Sequence, residues 1–511
     1  MTDLRDDLKR WLPGLRKELK GYEAKSSLEH EGRTLTIGGG VATVTGLPWT
    51  RLGELLRFED GTLALAFRVD ENALGCILLG TGEAIAAGSR VWGTGEVFRV
   101  PVGEALLGRV VDPTGAPIDD GPELSAEHFE PIDRPAPAIV DRDLVTTPLQ
   151  TGLIGIDAMI PLGRGQRELI IGDRKTGKTA LAIDTMINQR SSDVVCIYAS
   201  VGQKTSTVNQ VIAAVREHGA FDRCIFVIGA SEAQSGAQWI TPYAACTIAE
   251  YFRDRGQDAL LIIDDLTKHA IIYRQLSLLL RRPPGREAYP GDIFYVHARL
   301  LERAAKLSSE RGGGSLTALP LAETQAGNLT AYIPTNLISI TDGQIYLEPK
   351  LFYEGERPAV NVGLSVSRVG GQTQSPLMKR LAETLRLDYA QFLELEVFAR
   401  FGAMVDERTK RTLHHGERIR AILRQGQFQP LSLAEQAALL LALNEGKLDS
   451  HPEEVIAGFK EGLAASLAER APRLAARIEA SADLSDDEIA ELSGHLDEIL
   501  NELAPTPQGG A

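Results

Sequence analysis

The stretch Glu168-Leu169-Ile170-Ile171-Gly172-Asp173-Arg174-Lys175-Thr176-Gly177-Lys178-Thr179-Ala180-Leu181-Ala182-Ile183 decides the fold. It opens as a short apolar run of strand type, closes as the start of a helix, and holds GxxxxGK[ST] between them. In a loop of that kind the glycines let backbone N–H groups curl around phosphate oxygens. Lys178 reaches the terminal phosphates, and the Thr179 hydroxyl is a ligand for Mg²⁺. Gly172, Asp173, Arg174, Lys175, Thr176, Gly177, Lys178 and Thr179 are therefore the expected contacts of a magnesium-bound nucleoside triphosphate.

Such a loop needs an acidic partner at the end of a neighbouring strand to hold the metal directly or through water. Leu260-Leu261-Ile262-Ile263-Asp264-Asp265 has that form, with Asp264 as the metal-side carboxylate. Hydrolysis requires more: a base or polariser for the attacking water, usually a carboxylate at the end of the strand between these two. That strand, running from Val195 to Gly202, ends in Gln203. A glutamine amide orients water but takes no proton, although some nucleotide hydrolases do use Gln.

Working outward, apolar runs at 168–171, 194–199, 224–228 and 259–263 alternate with helical patterns between about 150 and 370, which predicts a parallel sheet. Residues 33–98 read differently. Leu63, Leu65, Phe67 and Val69 alternate after an Asp60-Gly61 hairpin signal, and glycine punctuates the segment, which predicts a small barrel. Pro113-Thr114-Gly115 and Pro135-Ala136-Pro137 mark turns in the connecting stretch. From Ser375 onward the pattern is long helices, such as 378–401 and 431–443. Leu4, Leu8, Trp11, Leu12, Leu15 and Leu19 predict an amphipathic helix over 3–23, kinked or restarted by Pro13. The expected organisation is thus multidomain: an N-terminal helical segment (1–27), a β-barrel (28–97), an α/β P-loop nucleotide-binding domain (98–373) and a C-terminal α-helical domain (374–511).

Composition excludes several alternatives. A net charge of −15 over 511 residues argues against a surface that grips nucleic acid throughout. Cys76, Cys196, Cys224 and Cys246 form no CxxC pair and mostly sit in apolar runs, as reduced core thiols do. The nine histidines show no metal-ligand spacing, and His414-His415 reads as a solvated helix face. No stretch approaches the ~20 uninterrupted apolar residues of a membrane span, so any membrane association is expected to run through partners.

Longer strings resemble one family, the α subunit of the F-type ATP synthase. They are Gln150-Thr151-Gly152, Gly163-Arg164-Gly165-Gln166-Arg167-Glu168-Leu169-Ile170-Ile171-Gly172-Asp173-Arg174, Gly202-Gln203-Lys204, Arg281-Arg282-Pro283-Pro284-Gly285-Arg286-Glu287-Ala288, Pro334-Thr335-Asn336, Ile338-Ser339-Ile340-Thr341-Asp342-Gly343-Gln344 and Ser365-Val366-Ser367-Arg368-Val369-Gly370-Gly371. The resemblance implies a RecA-like nucleotide domain, and three copies alternating with three β subunits in a ring. It also implies a rotating central stalk (γ), a peripheral stalk (δ and b), and a place on the cytoplasmic face of the bacterial inner membrane. In that family the α site binds Mg-ATP or ADP without turnover, and Gln203 matches the position where the catalytic β subunit carries Glu. The resemblance further assigns Arg368 as an arginine finger acting in trans on the β-subunit site, with Ser365 helping to hold it. It assigns Phe352, Arg357, Pro358, Gln425 and Gln427 to the nucleotide's base.

Three departures stand out: Lys175 where the family usually has Gln, Asn328 in place of the usual Asp, and a poorly matching segment through Trp11 and Pro13. They fit a protein from an alternative or second ATP synthase operon. A catalytic or export-type ATPase subunit would want Glu at position 203. A Rho-like helicase would want aromatic and basic residues on the barrel strands, where 33–98 offers mainly Leu, Val, Ala and Gly.

Overall fold

The computed structural model describes residues 30–400 and 406–503. The helix expected over 3–23 lies outside them. Among the described residues, the strands His30–Gly38, Val41–Thr45, Glu54–Phe58, Leu63–Val69, Leu74–Leu78 and Arg90–Val97 close into a six-stranded barrel. Alternation does this: Glu54–Phe58 buries every second residue, and Leu56 and Phe58 join Val44, Ala64, Cys76 and Val91 in the barrel core. The hairpin at Asp60-Gly61 forms as expected. Gly61 takes φ +87°, and the Asp60 carboxylate accepts from the Thr62 N–H at 2.9 Å and its hydroxyl at 2.8 Å.

The middle of the chain builds an eight-stranded sheet in the order Val366–Ser367, Gly343–Leu347, Leu169–Asp173, Ser315–Thr324, Asp258–Asp264, Val195–Gln203, Cys224–Ala230, Arg109–Val111. All neighbours run parallel except the first pair. Both faces are covered, so these strands are apolar throughout rather than alternating. Successive residues go to opposite cores. Leu169, Ile171, Ile197, Ala199, Leu261 and Ile263 pack on the side shared with Leu65, Ile77 and Leu79 of the barrel. Ile170, Cys196, Tyr198, Leu260 and Ile262 pack on the side continuous with Leu440, Phe459 and Leu496 of the C-terminal helices. The sheet is therefore a middle layer between two hydrophobic cores.

The strand order corrects one expectation. Val195–Gln203 lies between the P-loop strand and the Asp264 strand in sequence, but in space Ser315–Thr324 occupies that place and Val195–Gln203 is on the far side of Asp258–Asp264. The helix expected over 378–401 is two, Pro376–Ala382 and Leu385–Arg400, and the one expected over 431–443 is Leu433–Asn444, started by a capping box between Ser432 and Glu435. All four cysteines are buried and free. Among the described residues no helix is long and apolar enough to cross a membrane.

Candidate nucleotide site

The P-loop leaves the strand Leu169–Asp173 at Gly172, where a Cβ would sit 2.5 Å from the Leu347 carbonyl oxygen and 2.9 Å from Thr176 Oγ1. Close approach of the neighbouring strand is what requires glycine there. The loop ends at Gly177, left-handed at φ +100°, and the helix Lys178–Asn188 follows without a side-chain hydrogen bond to cap its first turn. Those first N–H groups, with the positive end of the helix dipole behind them, are free to face an anion. Thr176 Oγ1 donates to the Asp173 carbonyl (2.8 Å), and Lys178 Nζ donates to the carbonyls of Gly172 (3.0 Å) and Asp173 (2.7 Å). Burial holds the Lys178 ammonium below its usual pKa, against the pull of Glu323, Asp265, Asp264 and Asp173. Asp173 is spent on structure: its Oδ1 accepts from Thr324 Oγ1 (2.6 Å) and the Gly327 N–H (2.9 Å). Arg174 and Lys175 are exposed, and Lys175 sits at φ +65°. Asn328 accepts from the Thr330 N–H and hydroxyl, closing a local turn that Asp would close equally well.

Asp264 is where the site converges. Its Oδ2 accepts from Thr179 Oγ1 and from the Tyr198 hydroxyl, both at 2.8 Å, and its Oδ1 accepts from Gln203 Nε2 at 2.7 Å. Gln203 Oε1 in turn accepts from Lys268 Nζ at 2.6 Å, so the amide is oriented at both ends. Thus Thr179, Asp264 and Gln203, 85 residues apart at the extremes, form one cluster. Tyr198, Lys268 and Asp265 belong to it too and were not singled out from sequence. A tyrosine in a fully buried strand is a signal that was available, since its hydroxyl has to find an acceptor. Burial keeps that hydroxyl protonated by raising its pKa well above the usual range, with Asp264 adding to the effect. Asp265 caps the helix Leu266–Leu279, accepting from the Lys268 N–H at 2.7 Å; burial and the Asp264 charge push its carboxyl up to about 7.

The donor set suits a hard divalent cation that keeps most of its waters. Thr179 and Asp264 offer oxygen ligands, and among the described residues no group of three or more His, Cys, Asp or Glu is gathered as an all-protein cage would need.

The residues expected around a base lie at this same end of the sheet. Leu347 pairs with Gly172, and the short helix Pro349–Tyr353 follows at once. The Arg357 guanidinium lies 5.1 Å from the Phe352 ring centroid, and the Arg357-Pro358 bond is cis. The backbone N–H of Gln425 donates to the Arg357 carbonyl at 2.8 Å, joining the two loops. The Gln425 amide is committed internally: Oε1 accepts from the Ile154 N–H, and Nε2 donates to the carbonyls of Gly152 and Gln429. Gln427 is exposed.

Arg368 and Ser365 sit elsewhere. Ser367 pairs with Gly343, and Gln344 with Leu169, so Arg368 lies where the P-loop strand begins. Arg368 is level with Arg167, and Gly172 is five residues further along, about 17 Å in the strand direction. Arg368 donates to the carbonyls of Thr341 (3.2 Å) and Ile338 (3.4 Å) and is exposed. Ser365 does not hold it: the Ser365 hydroxyl donates to the Asn361 carbonyl (2.6 Å) and accepts from the Tyr346 N–H (2.9 Å), tying the sheet edge. Nearby, burial raises the Glu168 carboxyl well above its usual range, against the hydrogen bond from Gln166 and the Arg368 charge.

A family model described as the ATP synthase alpha/beta family, nucleotide-binding domain, matches residues 152–367. A second, for the C-terminal domain of the ATP synthase alpha/beta chain, matches 374–499. The protein belongs to the ATP synthase alpha/beta family, on its alpha-subunit side. ATP synthase subunit alpha 3 of Paraburkholderia xenovorans (strain LB400) is 57% identical over 465 residues, 91% of this protein and 87% of the relative. ATP synthase subunit alpha 2 of Gluconobacter oxydans (strain 621H) is 53% identical over 483 residues, 94% and 95% of the two proteins. ATP synthase subunit alpha 2 of Burkholderia thailandensis is 50% identical over 534 aligned positions, 98% and 96%. As a member of this family the protein is a nucleotide-binding subunit of the ATP synthase complex.

Proposed function

We propose that this protein is the regulatory, non-catalytic nucleotide-binding α subunit of an F-type ATP synthase, which makes ATP from ADP and phosphate on a transmembrane proton or sodium gradient. The observation that carries the reading is the group set against Asp264: an amide, Gln203, locked between the Asp264 carboxylate and the Lys268 ammonium. Such an amide holds a water without accepting its proton, so a bound triphosphate persists. The P-loop N–H groups and Lys178 bind the phosphates, with Arg174 and Lys175 at the rim. Thr179 and Asp264 are the residues that would hold Mg²⁺, which would supply neutralisation of the phosphate charge. Phe352, Arg357 and Pro358 wall the base, and the loop carrying Gln425 and Gln427 closes over it.

Arg368 then acts in trans. Its position about 17 Å before the protein's own P-loop along the strand direction, at the opposite end of the strands, supports an action on a neighbour rather than on its own nucleotide. The neighbour is the β subunit of an alternating hexameric ring, set around a rotating γ stalk and held by δ and b. The complex attaches to the cytoplasmic face of the bacterial inner membrane, and this subunit reaches the membrane only through it. The domains are taken as 1–27, 28–97, 98–373 and 374–511. A guanidinium at the transferring phosphoryl group is worth on the order of 10³ to 10⁵ in rate. In the complex reconstituted with β, Arg368→Ala is expected to lower the ATPase rate about 10³-fold or more, with Mg-ATP binding by this subunit unchanged. A rate near wild type would sink the assignment and return attention to catalysis at this subunit's own site.

A further inference from the structure

Asp184 has no part in the site described above, yet it is a buried carboxylate, 5% exposed, on the P-loop helix itself. It lies six residues beyond Lys178, about 9 Å along the axis. Its Oδ1 accepts from the backbone N–H of Phe428 at 2.7 Å, across 244 residues of sequence. Phe428 is left-handed, φ +63°, a conformation that disfavours a bulky side chain and persists only where surroundings impose it. Two contacts impose it here: the Asp184 hydrogen bond, and the His218 ring, whose centroid is 5.2 Å from that of Phe428.

These contacts complete the anchoring of the loop 425–429. At its start the Gln425 amide is fastened to Gly152, Ile154 and Gln429, and its backbone N–H to Arg357. At its end the Leu431 N–H donates to the Gly152 carbonyl at 2.8 Å. Gly426 and Gln427 are the exposed residues left between the fastened Gln425 and the fastened Phe428, and Gln427 is the one with a polar side chain. The Phe428 anchor differs in kind from the others, because it comes from the helix whose first turn faces the phosphates.

We propose that Asp184 is a positioning residue for the nucleotide's base: by holding the Phe428 N–H it sets the loop that presents Gln427, and so links base recognition to the P-loop helix. The inference rests on the reading that phosphates bind at the P-loop and the base at this loop. Burial pushes the Asp184 carboxyl up to about 6, against the Phe428 hydrogen bond and the His218 charge. A group kept at that cost in one hydrogen bond is consistent with a positional role.

The test compares Mg-ATP with Mg-tripolyphosphate, which has no base, by calorimetric titration of the full-length protein. Wild type is expected to prefer Mg-ATP. Asp184→Ala is expected to weaken Mg-ATP binding about tenfold and leave Mg-tripolyphosphate within about twofold, the loss of one charge-assisted hydrogen bond read only through the base. Asp184→Asn keeps an acceptor oxygen and is expected to restore Mg-ATP binding. Equal losses for both ligands in Asp184→Ala, no loss, or no rescue by Asn would each overturn the inference. Gln427→Ala separates the failures. If it lowers the preference for Mg-ATP while Asp184→Ala does not, the base reading stands and the role of Asp184 falls. If wild type binds the two ligands equally, the base reading falls as well.

Discussion

Replacing Asp264 by asparagine reverses half of one hydrogen-bonding group at the point where four residues meet. The carboxylate accepts three hydrogen bonds, from Thr179 and Tyr198 on one oxygen and from Gln203 on the other, and Lys268 fixes which way Gln203 faces. An amide in the same place cannot satisfy them all. With its carbonyl toward Thr179 and Tyr198, its NH₂ meets the Gln203 NH₂. Turning Gln203 over then sets that NH₂ against the Lys268 ammonium. With the asparagine turned instead, the buried Tyr198 hydroxyl proton loses its acceptor. One unmet buried group costs about 1–3 kcal/mol. Binding Mg-ATP must restore the arrangement against that cost, so affinity is expected to fall about 5- to 150-fold, at 1.4 kcal/mol per tenfold. Without Mg²⁺ the same substitution removes a negative charge from the neighbourhood of the triphosphate, and the loss is expected to be much smaller. Calorimetric titration of the full-length protein with ATP, in Mg²⁺ and in EDTA, reads both. Equal losses under the two conditions, or less than about threefold in Mg²⁺, would refute the assignment of Asp264 to the metal side.

Gly172→Ala drives a methyl to 2.5 Å from the Leu347 carbonyl oxygen, and a paired strand cannot retreat as a flexible side group would. Overpacking of this kind costs about 1–3 kcal/mol. A lower thermal midpoint together with weakened Mg-ATP binding is expected, and wild-type values for both would show that the loop has slack. Asp184 gives a pH-dependent prediction. Its folded pKa, about 6, is above the ordinary aspartate value of 3.8. The folded protein therefore binds more protons than the unfolded one between those values, and stability from this group is present at low pH and lost as pH rises through 6. At about 1.4 kcal/mol per pH unit the ionised group costs roughly 3 kcal/mol near pH 7. Asp184→Asn is expected to match wild type in thermal midpoint near pH 4 and to exceed it by a few degrees at pH 7.5. A difference that shrinks with rising pH would contradict the burial of that carboxylate.

Much of this molecule is legible in its amino-acid sequence, for local reasons. Gly172, Gly177, Lys178 and Thr179 have a fixed spacing because one loop must wrap one row of phosphates, and their setting between a strand and a helix is readable from periodicity within a dozen residues. Asp264 announces itself by ending an apolar strand, and the barrel by alternation about Asp60-Gly61. The succession of barrel, parallel sheet and C-terminal helices follows from the same patterns. What tertiary structure alone decided is which strands lie side by side. In a parallel sheet, neighbours are joined by long crossovers, so sequence order carries little information about spatial order. Val195–Gln203 accordingly lies beyond the Asp264 strand, and the partnership of Gln203 with Asp264 and Lys268 comes from that placement. Tyr198 reads locally as one more core aromatic, and Asp184 as one polar residue in a helix. Each acquires its role from an atom 66 or 244 residues away. The Ser365 hydroxyl, adjacent in sequence to the strand that leads to Arg368, goes instead to Asn361 and Tyr346, because a buried hydroxyl takes the partners the fold brings within reach.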